Sequence, residues 1–181
     1  EKENSIEKDY SYDDALKDLF LSEEDLTNFN ETAKRKKNII LQGPPGVGKT
    51  FVSRRLGYLL MGDRDKSRIE TVQFHQSYSY EDFVQGWRPT PSAGFVLRNG
   101  IFYKFCERAR EDLENKYIFI IDEINRGNLS KIFGELLMLI EDDKRENDPK
   151  ESGIKLAYSE NEEDKFSVPE NIYIIGLMNT A

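Results

Sequence analysis

The residues Gly43-Pro44-Pro45-Gly46-Val47-Gly48-Lys49-Thr50 fill every fixed position of the pattern G-x-x-x-x-G-K-S/T. An apolar run, Asn38-Ile39-Ile40-Leu41, comes directly before them, and Phe51 to Met61 follows with helical apolar spacing. A strand, a glycine-rich turn and a helix in this order are typical of a loop whose backbone N–H groups converge on phosphate oxygens. The sequence therefore predicts that the chain binds a nucleoside triphosphate.

Each residue type in this loop suits phosphate chemistry. Gly46 and Gly48 carry no Cβ, so backbone amides can approach the phosphates closely. Lys49 is expected to place a cation on the β- and γ-phosphates, and the Thr50 hydroxyl to ligate Mg²⁺. The predicted nucleotide-binding residues are Gly43, Pro44, Pro45, Gly46, Val47, Gly48, Lys49, Thr50 and Phe51.

A second polar site is predicted at the ends of two apolar strands. The run Tyr117-Ile118-Phe119-Ile120-Ile121 ends in Asp122 and Glu123, which is the Walker B pattern. Desolvating two carboxylates is costly, and Mg²⁺ bound by Asp122 would compensate that cost. Glu123 is then placed to deprotonate the attacking water. Asn179, at the tip of a later apolar strand, is expected to sense the γ-phosphate.

These strands and helices predict an α/β fold, a parallel sheet sandwiched between helices. The interval between the two motifs is long enough for one strand, Ile69 to Phe74, and two helices. Residues 1–37 are expected to form a helical extension, with helices over Asp13 to Phe20 and Ser22 to Phe29, and residues 38–181 the nucleotide-binding core.

Three further elements are predicted from turn residues and apolar spacing. A small hairpin is expected around Arg98-Asn99-Gly100, and another between Ile154 to Tyr158 and Phe166 to Val168. The segment after Arg126 is expected to be one helix with an apolar stripe packed in the core. That stripe consists of Leu129, Ile132, Phe133, Leu136, Leu137 and Ile140.

Composition excludes several classes of protein. The 181 residues make one domain, and 34 acidic against 26 basic residues give a net charge of −8, which disfavours holding a polyanion unaided. The basic run Lys34 to Lys37 is interpreted as a helix end. No stretch near 18 apolar residues predicts a membrane span, the single Cys106 suggests a buried thiol in a reducing cytoplasm, and the lone His75 is interpreted as structural.

Several segments together resemble the McrB family of AAA+ GTPases, subunits of restriction systems that depend on modified cytosine. The matching stretches are Phe74 to Phe83, Asn99 to Tyr103, Tyr117 to Arg126 and Val168 to Ala181. The resemblance implies GTP hydrolysis with Mg²⁺, assembly of the complete protein into a hexameric ring, and an McrC-type nuclease partner. It also implies DNA recognition by a separate N-terminal domain and a small helical lid beyond Ala181.

The residues themselves leave alternatives open. No Asn-Lys-x-Asp motif for guanine is present, so GTP is implied by the resemblance alone, and an ATP-hydrolysing relative of the MoxR or dynein-like branch is the runner-up. A nucleotide-gated scaffold and a direct DNA-binding module are further possibilities. Arg126 is either a surface arginine paired with a carboxylate or a catalytic residue that reaches a neighbouring subunit.

Overall fold

A computed structural model describes residues 9–180, so the predicted extension before residue 9 and Ala181 lie outside the described residues. The helices are α1 (Tyr12–Asp18), α2 (Glu23–Lys36), α3 (Lys49–Met61), α4 (Tyr80–Phe83), α5 (Ile101–Arg110), α6 (Leu129–Phe133), α7 (Leu136–Leu139) and α8 (Pro149–Ser152). The strands are β1 (Asn38–Gly43), β2 (Ile69–Gln73), β3 (Gln85–Pro89), β4 (Phe95–Asn99), β5 (Tyr117–Asp122), β6 (Ile154–Lys155), β7 (Lys165–Phe166) and β8 (Ile172–Asn179). Short 3-10 turns cover Lys66–Arg68, Ile124–Arg126 and Asp142–Lys144.

The central sheet is parallel, with the strand order β1-β8-β5-β2. Its register pairs Gly43 with Asn179 and Gln73 with Asp122. Parallel strands end at the same edge of a sheet, so the phosphate-binding loop, Asp122 and Asn179 meet there. The predicted α/β class is confirmed.

Side chains alternate between the two faces of the central strand β5. Ile118 and Ile120 pack with Leu60 of α3 on one face. Phe119 and Ile121 join the larger, aromatic-rich cluster on the other face, which includes residues of α4 to α7. Both faces are therefore covered, which explains why β5 is continuously apolar.

The two N-terminal helices pack against α3, with Leu26 buried completely in that contact. Each begins with a capping box, made by Ser11 in α1 and by Ser22 in α2. The prediction ended the second helix at Phe29, but α2 continues to Lys36. Its last turn carries three cations, which a helix C-terminus favours. The division of the chain at residue 38 stays a prediction.

The predicted turn at Arg98-Asn99-Gly100 is wrong. Strands β3 and β4 do form an antiparallel hairpin, but its turn lies between Thr90 and Gly94, where Thr90 N donates to Gly94 O at 2.9 Å. Gly100 instead precedes α5 and lies against α4. A Cβ at Gly100 would come within 2.4 Å of the Phe83 carbonyl carbon, so this glycine serves close packing.

The single helix predicted after Arg126 is also wrong, because α6 and α7 are separated at Gly134, whose φ is 54°. The break turns Leu137 outward, and this residue of the predicted core stripe is 36% exposed. The hairpin predicted between residues 154 and 168 is present as the short pair β6 and β7.

The single cysteine and the single histidine lie in different environments. Cys106 is fully buried, as predicted, and burial raises the pKa of its thiol. His75, interpreted as structural because one histidine cannot form a metal cluster, is exposed, and its ring contacts the edge of the Tyr78 ring. No helix in this part of the chain has the length and apolar character to cross a membrane.

Candidate nucleotide-binding and catalytic site

The phosphate-binding loop has the backbone that its glycines predict. Gly46 and Gly48 have φ values of 81° and 78°, in the left-handed region where a side chain is strained. Gly48 caps α3, and Lys49 is the first residue of this 13-residue helix. The N-terminus of α3 therefore opens directly onto the loop, where its unpaired N–H groups favour an anion.

The Lys49 ammonium lies at the centre of the loop and contacts the neighbouring strand. Its Nζ donates to the carbonyl oxygens of Gly43 at 3.0 Å and Pro44 at 2.8 Å. It also donates to Oδ1 of Asn179 at 2.5 Å. Three neutral acceptors thus surround a cation whose charge they do not neutralise.

Asn179 connects Lys49 with Glu123. While its amide oxygen accepts from Lys49, its Nδ2 donates to Glu123 Oε1 at 2.5 Å. The Nε of Arg126 donates to the other oxygen, Glu123 Oε2, at 3.0 Å. Glu123 is 13% exposed and Arg126 is 63% exposed, so the series of contacts runs from the loop to the surface.

A left-handed backbone directs Glu123 towards this contact. Its φ of 53° and ψ of 43° are uncommon for a residue with a side chain. The residue follows the last position of β5 and precedes the 3-10 turn Ile124–Arg126. Residues held in such backbone cluster at active sites and ligand clamps.

Thr50 and Asp122 form the second part of the site. The Thr50 hydroxyl donates to Asp122 Oδ2 at 3.3 Å, and Asp122 Oδ1 accepts from the Glu123 amide at 2.9 Å. Hydroxyl and carboxylate oxygens are hard ligands, and Mg²⁺ typically takes one or two of them while phosphates and water complete its shell. The two side chains therefore fit a magnesium ion.

The remaining predicted binding residues are exposed to solvent in the loop and in the first turn of α3. Pro44, Pro45 and Val47 are exposed loop residues, and Phe51 is 47% exposed one position after Thr50. The Arg55 guanidinium covers the Phe51 ring, with its Cζ 3.8 Å from the ring centroid.

The structure adds residues that sequence reasoning did not assign. His75, Gln76 and Ser77 line an open groove of about 590 Å³ together with Asn125 and Arg126. They meet because β2 and β5 are neighbours, and Phe74 N donates to Asp122 O at 2.9 Å. The sequence did not specify that β2 and β5 are neighbours, so it could not predict that the segments after these strands meet.

A parallel sheet that carries this loop, an acidic pair and a polar strand tip at one edge defines a P-loop NTPase domain. The chain belongs to the AAA domain family of the dynein-related subfamily, whose model matches residues 38–181.

Two curated relatives are similar over nearly the whole chain. The Type IV methyl-directed restriction enzyme EcoKMcrB subunit of Escherichia coli (strain K12) is 60% identical over 172 residues, which are 95% of this chain and 37% of that protein. The Type II restriction enzyme BsuMI component YdiS of Bacillus subtilis (strain 168) is 28% identical over 200 residues, 91% of this chain and 58% of that protein. The chain thus spans less than two thirds of either relative, and the predicted resemblance to McrB is confirmed.

Proposed function

We propose that this AAA domain hydrolyses GTP with Mg²⁺ and acts as the motor module of an McrBC-type DNA restriction complex. The observation that carries the proposal is Asn179, which contacts both the phosphate-loop cation Lys49 and the acid Glu123. A side chain in this position can report the state of the γ-phosphate to the residue that activates water. The similarity to a restriction-enzyme McrB subunit supports the biological setting.

The proposed roles follow from the geometry. The loop amides and Lys49 bind the phosphates, and Thr50 with Asp122 holds the ion, which when bound neutralises charge on the phosphate oxygens. Glu123 orients the attacking water and accepts its proton. Asn179 fixes the Glu123 carboxylate through its 2.5 Å hydrogen bond.

A triphosphate would change the partners of Lys49. Its ammonium now donates to two carbonyls and one amide oxygen, all of them neutral. Phosphate oxygens are stronger acceptors for a cation because the hydrogen bond is then charge-assisted. We expect nucleotide binding to draw Lys49 from Asn179, which leaves the amide free to contact the γ-phosphate.

ATP hydrolysis is the second candidate, favoured by the dynein-related subfamily to which the chain belongs. Competition decides between them: unlabelled GTP and ATP would be titrated against a fluorescent GTP analogue bound to the domain. We expect GTP to displace the analogue at a concentration at least about tenfold lower than ATP, a difference of about 1.4 kcal/mol. If ATP displaced the analogue at the same or a lower concentration than GTP, ATP would become the proposed substrate.

The proposal includes partners of the complete protein. These are other subunits in a ring, for which we propose a hexamer, an McrC-type nuclease subunit, and DNA bound through a further domain. Arg126 is proposed to couple the site to such a partner, because it contacts Glu123 while 63% exposed. Its ion pair with Glu123 also matches the alternative of an ordinary surface arginine.

Replacement of Arg126 separates these two roles. In the complete protein, Arg126→Ala should leave nucleotide affinity within about twofold and lower partner-stimulated hydrolysis or ring assembly by at least about tenfold. Arg98→Ala, an exposed arginine on β4, is the matched control. Normal assembly and stimulated turnover in Arg126→Ala would assign this residue to the ordinary surface.

A further inference from the structure

A second cavity lies between the β3–β4 hairpin and the segment that carries β6 and β7. Its volume is about 600 Å³, and none of the predicted nucleotide-site residues lines it. Aromatic side chains form part of the wall, where Tyr103 stacks on Phe166 with ring centroids 4.7 Å apart. Cavities of this size accept a ligand or a side chain of another molecule.

The β3–β4 hairpin presents an apolar side chain to this cavity. Trp87 and Leu97 are directly paired across the strands, and both line the cavity. Arg88 and Arg98 alternate with them and line a different hollow. Trp87 is 42% exposed, so part of its indole is accessible to a molecule that enters the cavity. It is also the only tryptophan of the chain.

An unmet hydrogen-bond acceptor lies in the wall beside Trp87. Gln85 lines the cavity and is only 4% exposed, yet its Oε1 has no hydrogen-bond partner among residues 9–180. Proteins pair nearly all of their buried polar atoms. The exception is explained if a ligand supplies the missing N–H.

The charge around the cavity indicates which ligand would enter. The lining includes four carboxylates and two ammonium groups, and the carboxylates of Glu160 and Glu163 form no hydrogen bond or ion pair within the described part of the chain. This excess of negative charge opposes the phosphates of a nucleic acid and favours a cation. The charged lining residues are Asp148, Lys150, Glu160, Glu163, Asp164 and Lys165.

We propose that this cavity binds an arginine side chain from a basic peptide segment of another protein. A guanidinium has a flat face that stacks on indole and five N–H donors in its plane. These properties suit the indole of Trp87, the unpaired acceptor Gln85 Oε1 and the carboxylate of Glu163, which all line the cavity. The inference is independent of nucleotide hydrolysis, because the cavity shares no residue with that site.

Peptide titration tests the inference on the 181-residue chain. The probe is a fluorescein-labelled peptide of Gly-Ser-Arg repeats, and the comparison peptide carries citrulline, a neutral analogue of arginine with nearly the same shape. We expect saturable binding of the arginine peptide with a change in Trp87 fluorescence, and binding of the citrulline peptide weaker by at least about tenfold. Equal binding of both peptides, no binding of either, or preferred binding of a single-stranded oligothymidylate would overturn the proposal.

Two variants and one control variant test the named contacts by fluorescence polarisation of the same probe. Gln85→Leu and Trp87→Ala should each weaken binding by about tenfold. Gln85→Leu should also keep or raise the midpoint of thermal unfolding, because it removes a buried acceptor that has no partner. Phe95→Ala replaces an exposed aromatic residue of the same hairpin that does not line the cavity, and it should bind normally. Equal losses in Phe95→Ala and Trp87→Ala would contradict a specific site.

The acidic rim is tested separately by a charge-neutral replacement. Glu163→Gln should weaken binding of the arginine peptide at low salt by about threefold and reduce the dependence of its affinity on salt. Glu162→Gln is the control, since Glu162 pairs with Lys155 at 2.6 Å and does not line the cavity. An identical response of the two variants would show that only the general charge of the domain attracts the peptide.

Discussion

Replacing Asn179 by alanine should nearly stop hydrolysis while leaving nucleotide binding almost intact. The side chain makes two charge-assisted hydrogen bonds at 2.5 Å, one with Lys49 and one with Glu123. Each such bond contributes about 1.5–3 kcal/mol. Loss of the bond that orients Glu123 should raise the activation barrier by about 2.7 kcal/mol, which corresponds to a turnover about 100-fold lower. Affinity should fall by less than about threefold, because the loop amides and Lys49 remain.

Two measurements check this prediction. Turnover is measured in the complete protein with its partner, and affinity is measured with a fluorescent GTP analogue. Asn115→Ala is the control, because Asn115 is exposed and its side chain donates to nearby Asp112 at 2.8 Å, away from the nucleotide site. Normal turnover in Asn179→Ala would refute the coupling of Lys49 to Glu123. A parallel loss of binding and turnover would instead make Asn179 a general binding residue.

Further substitutions test the loop and the contacts that position the fold. Lys49→Ala should weaken nucleotide binding at least about 100-fold in the same binding assay, because it removes the phosphate-directed cation, and near-normal affinity would contradict the loop assignment. Arg145→Met should lower the free energy of unfolding by about 2–4 kcal/mol in urea denaturation, since it removes three hydrogen bonds of a buried guanidinium, and an unchanged value would contradict that role. The Tyr158 hydroxyl donates to Glu81 at 2.7 Å and lowers the pKa of that carboxyl. Tyr158→Phe should therefore lower the free energy of unfolding by about 0.5–1 kcal/mol at neutral pH. This difference should shrink as the pH falls below 4.5, the ordinary pKa of a glutamate, and through the lower pKa of Glu81 in the folded protein. If the difference stayed constant with pH, the ionised Glu81 carboxylate would not be the group through which the Tyr158 hydroxyl stabilises the fold.

The sequence predicted the parts of the fold that short patterns specify. The run of apolar residues before Asp122 identified β5, and the loop glycines predicted the turn. The apolar spacing from Phe51 predicted α3, which begins two residues earlier, at Lys49. These signals are local, because strand burial and positive φ each restrict residue type at single positions. The edge where the strands end then follows from parallel pairing.

Signals with more than one physical meaning led to the errors. Asn99-Gly100 is typical of a hairpin turn, but Gly100 is needed for contact with Phe83. Gly134 interrupts an otherwise regular helical stripe, and one glycine inside such a pattern does not by itself predict a break. The cavity beside Gln85 could not be predicted, because it requires two hairpins that are distant in sequence to meet.

The most direct test of the account is Glu123→Gln in the complete protein, measured for GTP binding and GTP hydrolysis side by side. The amide keeps the size of the carboxylate and can still contact Asn179, but it cannot accept a proton from water. We predict affinity within about threefold of the original protein and hydrolysis lower by at least about 100-fold. Hydrolysis at the original rate would contradict the assignment of Glu123 as the base, and with it the central claim that this sheet edge is the catalytic site.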